Sequence, residues 1–279
     1  MVTGGEIAIA VAKAASGAGA LAKSSPWMIR HGKRTWRRLT KGVVEVPVFG
    51  AGGVGKSTAA RIVAGEGAEI AHGDYNESLW TEKVSLAGDV PGHLYVVPGQ
   101  RARIDKHWPE QYRRLAADAA VGLLNVVSYG YHSFEIHSPI ESRVWNDGMT
   151  MGDFEAAYTN ERRGVELQML SQLISGLSAV TKKLWMVTII NKQDLWRDRQ
   201  AQVLDYYKNG EYAAQIAQIG ARLGSASFQH EYVPTSLTMA NLKTGDGQVV
   251  AQTVEGYDMT ARNVSLQTLS DKLALMVSQ

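Results

Sequence analysis

Residues 43–63 read VVEVPVFGAGGVGKSTAARIV, and this stretch decides the fold. Its first seven residues are rich in valine and predict a strand over Val43–Phe49. Residues Thr58–Val63 predict the start of a helix. Between them lies GAGGVGKS, a full match to the phosphate-loop (P-loop) pattern GxxxxGK[ST] in the strand-then-helix setting that the pattern requires. The stretch therefore predicts an α/β P-loop fold with an anion site where the helix begins.

The residues of this loop suit a nucleoside triphosphate chemically. Glycines allow the backbone to wrap closely and to aim its N–H groups at phosphate oxygens. Lys56 supplies a positive charge for the β- and γ-phosphates, and the Ser57 hydroxyl is a ligand for Mg²⁺. The predicted nucleotide contacts of the loop are Gly50, Gly52, Gly53, Val54, Gly55, Lys56, Ser57 and Thr58.

The rest of the chain predicts a mostly parallel sheet with helices on both faces. The apolar runs at 121–129 and 184–190 are typical of strands buried on both faces, and helical periodicity runs through 165–177 and 266–276. Residues 84–97 predict an antiparallel hairpin at the edge of the sheet. Pro47 is awkward in the first strand because it lacks an N–H group. We expect one α/β P-loop NTPase domain over 43–279, with insertions near 130–163 and 240–262.

Composition excludes several classes of protein. Hydrophobic residues make up 45% of the chain and cysteine is absent, which excludes disulfide scaffolds, thiolate zinc sites and cysteine nucleophiles. No apolar run reaches the roughly 18 residues of a membrane-spanning helix. Residues 1–42 form a basic arm with eight Lys/Arg and one acid, whereas the remainder carries 21 bases and 26 acids.

A second motif, Asn191-Lys192-Gln193-Asp194, directly follows the buried run LWMVTII. It matches the NKxD guanine-recognition motif of GTPases. The Asp194 carboxylate can accept hydrogen bonds from guanine N1–H and the exocyclic amine, donors that adenine does not offer there. Because an unpaired buried carboxylate is costly, discrimination at such a site can be large. The Lys192 stem can lie along the base while Asn191 braces the loop.

The third stretch is Val96-Val97-Pro98-Gly99-Gln100 at the end of a predicted strand. In Ras-like GTPases a DxxG sequence stands here, followed by Gln. With HLYVVPGQ, the chain resembles a small Ras/Arf-like GTPase and is most similar to the bacterial MglA-type group, whose corresponding strand reads LYTVPGQ. The resemblance implies that Gly99 senses the γ-phosphate and that Gln100 orients the attacking water, with Gln100 and Lys56 as the catalytic residues. Val96 replaces the Asp and removes one outer Mg²⁺ contact.

Other residues complete the resemblance. Asp89–His93 (DVPGH) offers a competing alignment with translation factors, but we favour 96–100 because an apolar strand directly precedes Pro98. Thr235-Ser236-Leu237 resembles the base-backing (T/S)SA loop, which adds Ser236 and Leu237 to the nucleotide contacts. The switch threonine that would join Ser57 on Mg²⁺ is assigned to Thr81. Ser78 and Ser85 are the alternatives.

Two clusters suggest chemistry that we do not favour. Arg101 and Arg103 follow Gln100 and could act like an arginine finger, but solvated or partner-binding arginines are commoner in such places. His132, Glu135 and His137 suggest a metal site, but a strand would place the two histidines on opposite faces.

The basic arm has three interpretations. Its tryptophan-containing part, residues 23–41, could lie on anionic lipid, bind nucleic-acid phosphates, or be a solvated extension packed on the body. The last is favoured and nucleic acid is disfavoured. Val2 after Met1 and the absence of a C-terminal cysteine argue against a lipid anchor. We expect a cytoplasmic protein, with residues 23–41 as the candidate for peripheral membrane contact.

Three alternatives to a GTPase stay open. Partition-type ATPases carry a Lys where this chain has Ala51, and STAND-type ATPases need a buried strand that ends in adjacent acids. Both leave Asn191–Asp194 unexplained. A nucleotide-binding adaptor with negligible turnover is supported by Val96 and opposed by Gln100. We expect a switch that binds GTP or GDP with Mg²⁺, hydrolyses GTP and signals to effectors, with activating or exchange proteins as further partners.

Overall fold

The computed structural model describes residues 44–64, 80–85, 92–117, 122–134, 136–224 and 226–278. The basic arm and the alternative switch residue Ser78 lie outside these ranges, as does Glu135. None of the helices within them has both the length and the apolar character needed to cross a bilayer.

Six strands of the described chain form one sheet in the order β2-β3-β1-β4-β5-β6. Every neighbouring pair is parallel except β2 and β3, which run antiparallel at one edge. This architecture confirms the predicted mostly parallel sheet and its antiparallel edge hairpin. The strands are β1 Val44–Phe49, β2 Glu82–Ser85, β3 Gly92–Val96, β4 Gly122–Val127, β5 Leu184–Ile190 and β6 Phe228–Pro234.

Helices cover both faces of the sheet, as predicted, so that the apolar strands β4 and β5 are buried along their whole length. Helix α1 packs on β1 to β3, and α7 packs on β5 and β6. The helices are α1 Lys56–Ala64, α2 Arg101–Ala116, α3 Met151–Gly176, α4 Gln193–Trp196, α5 Gln200–Asn209, α6 Glu211–Leu223 and α7 Met259–Ser278, with 3₁₀ turns at Pro139–Glu141, Leu177–Ala179 and Arg197–Arg199.

Helix α3 begins well before the apolar periodicity at 165–177 that predicts it. Thr150 and Asp153 form a capping box in which each side chain accepts a hydrogen bond from the other residue's backbone N–H. The first half of the helix packs Phe154 and Tyr158 into a different core from the second half. A single helical stripe therefore could not show its full length.

Pro47 is tolerated in β1 because of where that strand pairs. The carbonyl of Val48 accepts a hydrogen bond from Val97 on the β3 side. Consecutive residues of a strand point their backbone groups to opposite sides, so the nitrogen of Pro47 faces β4. The β1–β4 pairing begins only at Val48, one residue beyond the proline.

A second, smaller core lies beside the main one. Phe134, Phe154, Tyr158 and Val250 are buried together in it. This core holds together two stretches of the chain, the described residues of 133–158 and of 240–254. We call these two stretches together the appended unit. The second stretch contains a two-stranded hairpin, β7 Leu242–Lys243 and β8 Val249–Ala251. Its turn donates hydrogen bonds from Gly245 and Asp246 to the carbonyls of Ile136 and His137, at 3.3 and 2.9 Å.

Candidate nucleotide-binding site

The P-loop contacts the NKQD motif. Gly50, Gly53 and Gly55 have positive φ, a backbone conformation that L side chains rarely adopt. At Gly55, where φ is +97°, an added Cβ would lie 2.5 Å from Nδ2 of Asn191. A side chain there would displace Asn191. Among the other predicted contacts, Val54 is buried, and Gly52, Ser57 and Thr58 are half-buried.

Lys56 is a buried amine at the start of α1. Its Nζ donates a 2.7 Å hydrogen bond to the carbonyl oxygen of Ala51, and burial lowers its pKa to about 7. Taking an ammonium out of water is unfavourable unless an opposite charge compensates for it. The position beside the P-loop backbone therefore suits an anion such as phosphate.

Gly99 follows β3 and lies against the P-loop. An added Cβ at Gly99 would lie 2.3 Å from the carbonyl oxygen of Gly50 and 2.6 Å from Nζ of Lys56. Only glycine allows this approach without displacing the P-loop or the amine. The residue predicted to sense a γ-phosphate therefore lies beside the lysine predicted to bind it.

The register of β3 bears on the competing alignment at Asp89–His93. Gly92 and His93 pair with Val44 and Glu45, at the start of β1. The P-loop follows the carboxyl end of β1, whereas Gly92 and His93 lie beside its amino end. These two residues are therefore at the opposite end of the strands from the P-loop. The register favours the 96–100 stretch, whereas Asp89 itself lies outside the described residues.

Val96 and Gln100 lie on either side of Gly99. Val96 is fully buried within the sheet, where it pairs with Val48 and Glu82. Gln100 immediately precedes α2, and its carbonyl accepts a 2.9 Å hydrogen bond from the backbone N–H of Arg103. The catalytic role of Gln100 stays a prediction. The side chain of Arg101 is outside the described part of the structure.

The predicted switch threonine lies at the start of the edge strand. Thr81 immediately precedes β2, and its Oγ1 is 3.4 Å from Nδ1 of His107 on α2. Ser85, the alternative, ends β2 with its Oγ 3.5 Å from Nδ1 of His93. Ser57 and Thr81 as Mg²⁺ ligands stay a prediction. The Ser57 hydroxyl, on the first turn of α1, is an oxygen donor of the kind that Mg²⁺ prefers.

Asn191 joins three loops at the carboxyl end of the sheet. Its Nδ2 donates to the carbonyl of Val54 in the P-loop at 2.8 Å. Its Oδ1 accepts from the backbone N–H of Leu237 at 3.1 Å, in the predicted base-backing loop. Its backbone N–H donates to Val127, and its carbonyl accepts from Trp196. One side chain thus fixes the spacing between the phosphate loop and the base motif.

Lys192 continues the same bridge in a left-handed backbone conformation with φ of 62°. Its Nζ donates to the Gly53 carbonyl at 3.2 Å. Burial lowers its pKa to about 8, although the negative charges of Asp194 and Glu166 oppose this shift. This hydrogen bond ties the end of the Lys192 side chain to the P-loop. That its stem lies along a base stays a prediction.

Asp194 lies beside the base-backing loop and is only 1% exposed. The Ser236 hydroxyl hydrogen-bonds to its Oδ1. Burial raises the pKa of Asp194, and hydrogen bonds from Ser236, Thr253 and backbone N–H groups, that of Ala240 among them, oppose the shift. These neighbours orient the carboxylate and almost completely bury it. A ligand could reach its oxygens only by displacing some of these donors.

Two buried residues that sequence reasoning missed support these loops. Glu166 on α3 accepts hydrogen bonds from the backbone of Ser128 and Gly130, from His132 at 3.1 Å and from Tyr207 at 2.6 Å. Burial would raise its pKa, but the contacts with His132 and Tyr207 and the Ser128 N–H hold the pKa below its usual value.

The signal for Glu166 was available in the sequence, because it falls three and seven residues before two members of the apolar stripe of α3, Met169 and Leu173. The network also decides the role of His132, whose pKa is lowered by burial. His132 serves to hold the turn after β4, and His137 is exposed. Among the described residues no group of three or more His, Cys, Asp or Glu side chains could hold a metal ion.

Arg262 on α7 is the second missed residue. Its guanidinium is buried and donates two hydrogen bonds to the carbonyl of Leu237, at 3.1 and 2.6 Å. Burial lowers its pKa. It fixes the base-backing loop from behind. No local pattern indicates this residue, because it lies 25 residues from its partner.

The chain matches no protein-family model and no curated protein. Among solved structures it is similar to the mammalian SRP receptor, at 14% identity and a TM-score of 0.41, over 83% of this chain and 99% of that one. It is also similar to the ADP-ribosylation-factor-like GTP-binding protein and small COPII coat GTPase SAR1 from Encephalitozoon cuniculi in complex with GDP, at 12% identity and a TM-score of 0.36, over 87% and 86%.

A third similar structure is the signal recognition particle receptor SRb-GTP/SRX complex from Chaetomium thermophilum, at 11% identity and a TM-score of 0.38, over 72% of this chain and 94% of that one. At these identities and TM-scores the likeness carries no argument about function. The function rests on the site's own residues.

Proposed function

We propose that this protein binds guanine nucleotides and is a GTP-hydrolysing switch of the small Ras/Arf-like type. The observation that carries the proposal is the Asn191 side chain, which bonds Val54 in the P-loop on one side and Leu237 in the base-backing loop on the other. This side chain links the residues predicted to bind phosphate to those predicted to bind the base, which supports a single nucleotide site. An ATPase of the partition or STAND type would give Asn191–Asp194 no role.

The residues divide the chemistry between them. Lys56 neutralises charge on the β- and γ-phosphates, and the P-loop N–H groups stabilise the charge that develops during transfer. Ser57 and Thr81 would hold Mg²⁺, which would supply further neutralisation of the phosphate charge. Gln100 orients water for in-line attack. Gly99, beside Lys56, links the γ-phosphate to the start of α2, so that hydrolysis changes this segment.

A second candidate function is a nucleotide-binding adaptor with negligible turnover. The buried Val96 favours it, because an apolar side chain stands where related switches carry an acid near the metal. Single-turnover GTP hydrolysis separates the two functions. A switch hydrolyses GTP at a rate that falls at least about tenfold in Gln100→Ala, whereas an adaptor shows no hydrolysis to lose.

A nucleotide-dependent switch acts through partner proteins that bind one of its two states. We propose that effectors, and activating or exchange proteins, read the segments around Thr81 and Gly99. We also propose that the protein is related to the bacterial MglA-type group. A further proposal is that residues 23–41 contact a membrane surface. Binding of the full chain to vesicles with and without anionic lipid, compared with a chain in which the bases of 23–41 are replaced by Gln, tests the membrane contact.

Competitive nucleotide binding tests the proposed function directly. GDP and GTP with Mg²⁺ compete against ATP for wild type, Asp194→Ala and the control Asp147→Ala, which alters an exposed acid outside the site. We expect guanine to be preferred by at least about 100-fold in wild type and the control, and the preference to collapse in Asp194→Ala. Equal ATP binding that is unaffected by Asp194→Ala would contradict the proposal.

A further inference from the structure

Residues 240–254 of the appended unit are bonded to the base motif. The backbone N–H of Val254 donates to the carbonyl of Asp194 at 2.7 Å. The hydroxyl of Thr253 donates to Oδ2 of the same residue at 3.3 Å. Thr253 is itself held in place, because its backbone N–H donates to Oδ1 of Asn241 at 3.1 Å. An element far along the chain thus reaches the carboxylate that selects the base.

The two oxygens of Asp194 are held by different elements. Ser236, in the base-backing loop, hydrogen-bonds to Oδ1, and Thr253 donates to Oδ2. These two hydroxyls hold the carboxylate plane from two different elements of the fold. Backbone N–H groups, that of Ala240 among them, also donate to the carboxylate, and a carboxylate offers about four acceptor sites. A base must therefore displace part of this set while the two hydroxyls keep the plane.

We propose that Thr253 is a positioning residue for guanine recognition: its hydroxyl fixes Oδ2 of Asp194 so that both oxygens face the guanine N1–H and exocyclic amine together. This inference rests on the proposed guanine-nucleotide function. It adds a determinant from the appended unit to a site otherwise built by the P-loop, the base motif and the base-backing loop. It also makes base selection depend on the position of residues 240–254 relative to the base motif.

The chemistry of the base provides the diagnostic. Guanine offers two donors to the carboxylate, whereas hypoxanthine, the base of IDP, lacks the exocyclic amine and offers one. A two-point contact requires the carboxylate plane to be fixed, and a one-point contact tolerates rotation. Loss of the Thr253 hydroxyl should therefore weaken GDP binding more than IDP binding. A purely structural role would weaken both equally.

The experiment measures Kd for GDP and IDP by calorimetry on the full chain. The variants are Thr253→Val, which keeps the side-chain volume, Thr253→Ser, which keeps the hydroxyl, and the control Thr260→Val on the exposed surface of α7. For Thr253→Val we expect GDP affinity to fall about tenfold and IDP affinity about twofold, since a hydrogen bond to a charged group is lost. Thr253→Ser and Thr260→Val should keep the wild-type ratio of the two affinities.

Three results would overturn the inference. These are an unchanged GDP/IDP ratio in Thr253→Val, an equal loss for both nucleotides, and tighter GDP binding, which would show that the hydroxyl competes with the base. If Thr253→Val does not fold, Thr253→Ala provides the same comparison. Failure of the proposed function has a different signature, because wild type itself would then show no preference for GDP over ATP.

Discussion

The candidate nucleotide site and the appended unit differ in how the chain builds them. The P-loop and the base motif are short continuous stretches, each placed by the strand that precedes it. The appended unit joins residues 133–158 to residues 240–254, and its core takes Phe134, Phe154 and Tyr158 from the first stretch and Val250 from the second. The two regions meet at the P-loop and at the base motif. The backbone N–H of Ser133 donates to the Gly53 carbonyl at 3.2 Å, and Thr253 and Val254 donate to Asp194.

Because of this difference, substitutions in the two regions should have different effects on ligand binding and on the stability of the fold. Residues of the candidate nucleotide site lie in loops at the carboxyl end of the main sheet, so their replacement should change binding and leave the fold intact. Residues of the appended unit depend on non-local packing, which forms only after a long loop has closed. Their replacement should loosen that unit before the sheet. Glu166 holds the turn at 128–132, which leads from β4 into the appended unit, and its loss should affect both the sheet and that unit.

The largest expected effect is that of Glu166→Ala. The change leaves His132, Tyr207 and two backbone N–H groups without their buried acceptor. Breaking such a network costs about 3–5 kcal/mol. Urea denaturation should show this loss in the free energy of unfolding.

Glu161→Ala is the matched control for Glu166→Ala. It removes an acid on the same helix whose partner, Arg143, is 80% exposed, and it should cost less than about 1 kcal/mol. Equal losses from the two variants would mean that the buried Glu166 network stabilises the fold no more than an exposed ion pair does.

Lys56→Ala should slow GTP hydrolysis without lowering the free energy of unfolding. The loss of one charged donor that stabilises a developing anion slows reactions by about 10²–10³, so GTP hydrolysis should fall by that factor. The free energy of unfolding should not fall, because the amine that is removed is buried and bonded to a neutral carbonyl. Lys208→Ala, on the exposed side of α5, is the control. Hydrolysis at the wild-type rate in Lys56→Ala would end the switch model.

The same contrast decides what the sequence could predict. The strand, loop and helix around the P-loop, and β5 with NKQD, were predictable because each pattern is local. The sequence favours 96–100 over Asp89–His93, and the register of β1 and β3 supports that choice. Strands β7 and β8 are two and three residues long, too short for a periodicity. Thr253 reaches Asp194 across 59 residues, a contact that no local pattern contains.

Val250→Ala tests whether the appended unit opens separately. Val250 is buried in the second core, and removing two methyl groups from such a site costs about 2 kcal/mol. Hydrogen exchange should speed up first in the described residues of 136–150 and 242–251. The control Val233→Ala removes the same groups from β6 in the main core, and its loss should appear across the sheet. Identical exchange patterns would mean that the two cores open as one.

The smallest effect is a pH dependence of GDP affinity. Burial lowers the pKa of Lys56 to about 7 and that of Lys192 to about 8 in the nucleotide-free chain. A bound phosphate favours the charged ammonium and raises the pKa of Lys56. Between the free and bound pKa values, binding takes up a proton, so affinity falls as the pH rises above about 7, by at most about tenfold per pH unit for one proton.

Calorimetry at pH 8.5 in two buffers with different ionisation enthalpies measures this uptake. The phosphates of GDP are fully ionised at this pH, so protons taken up on binding come to groups of the protein, and we expect up to about one per nucleotide from Lys56. Lys192 titrates in the same direction, and Lys192→Met removes its share while keeping an unbranched stem. Uptake that vanishes in Lys192→Met would assign the effect to the base motif, and no uptake in wild type would mean that the P-loop amine is already charged before phosphate arrives.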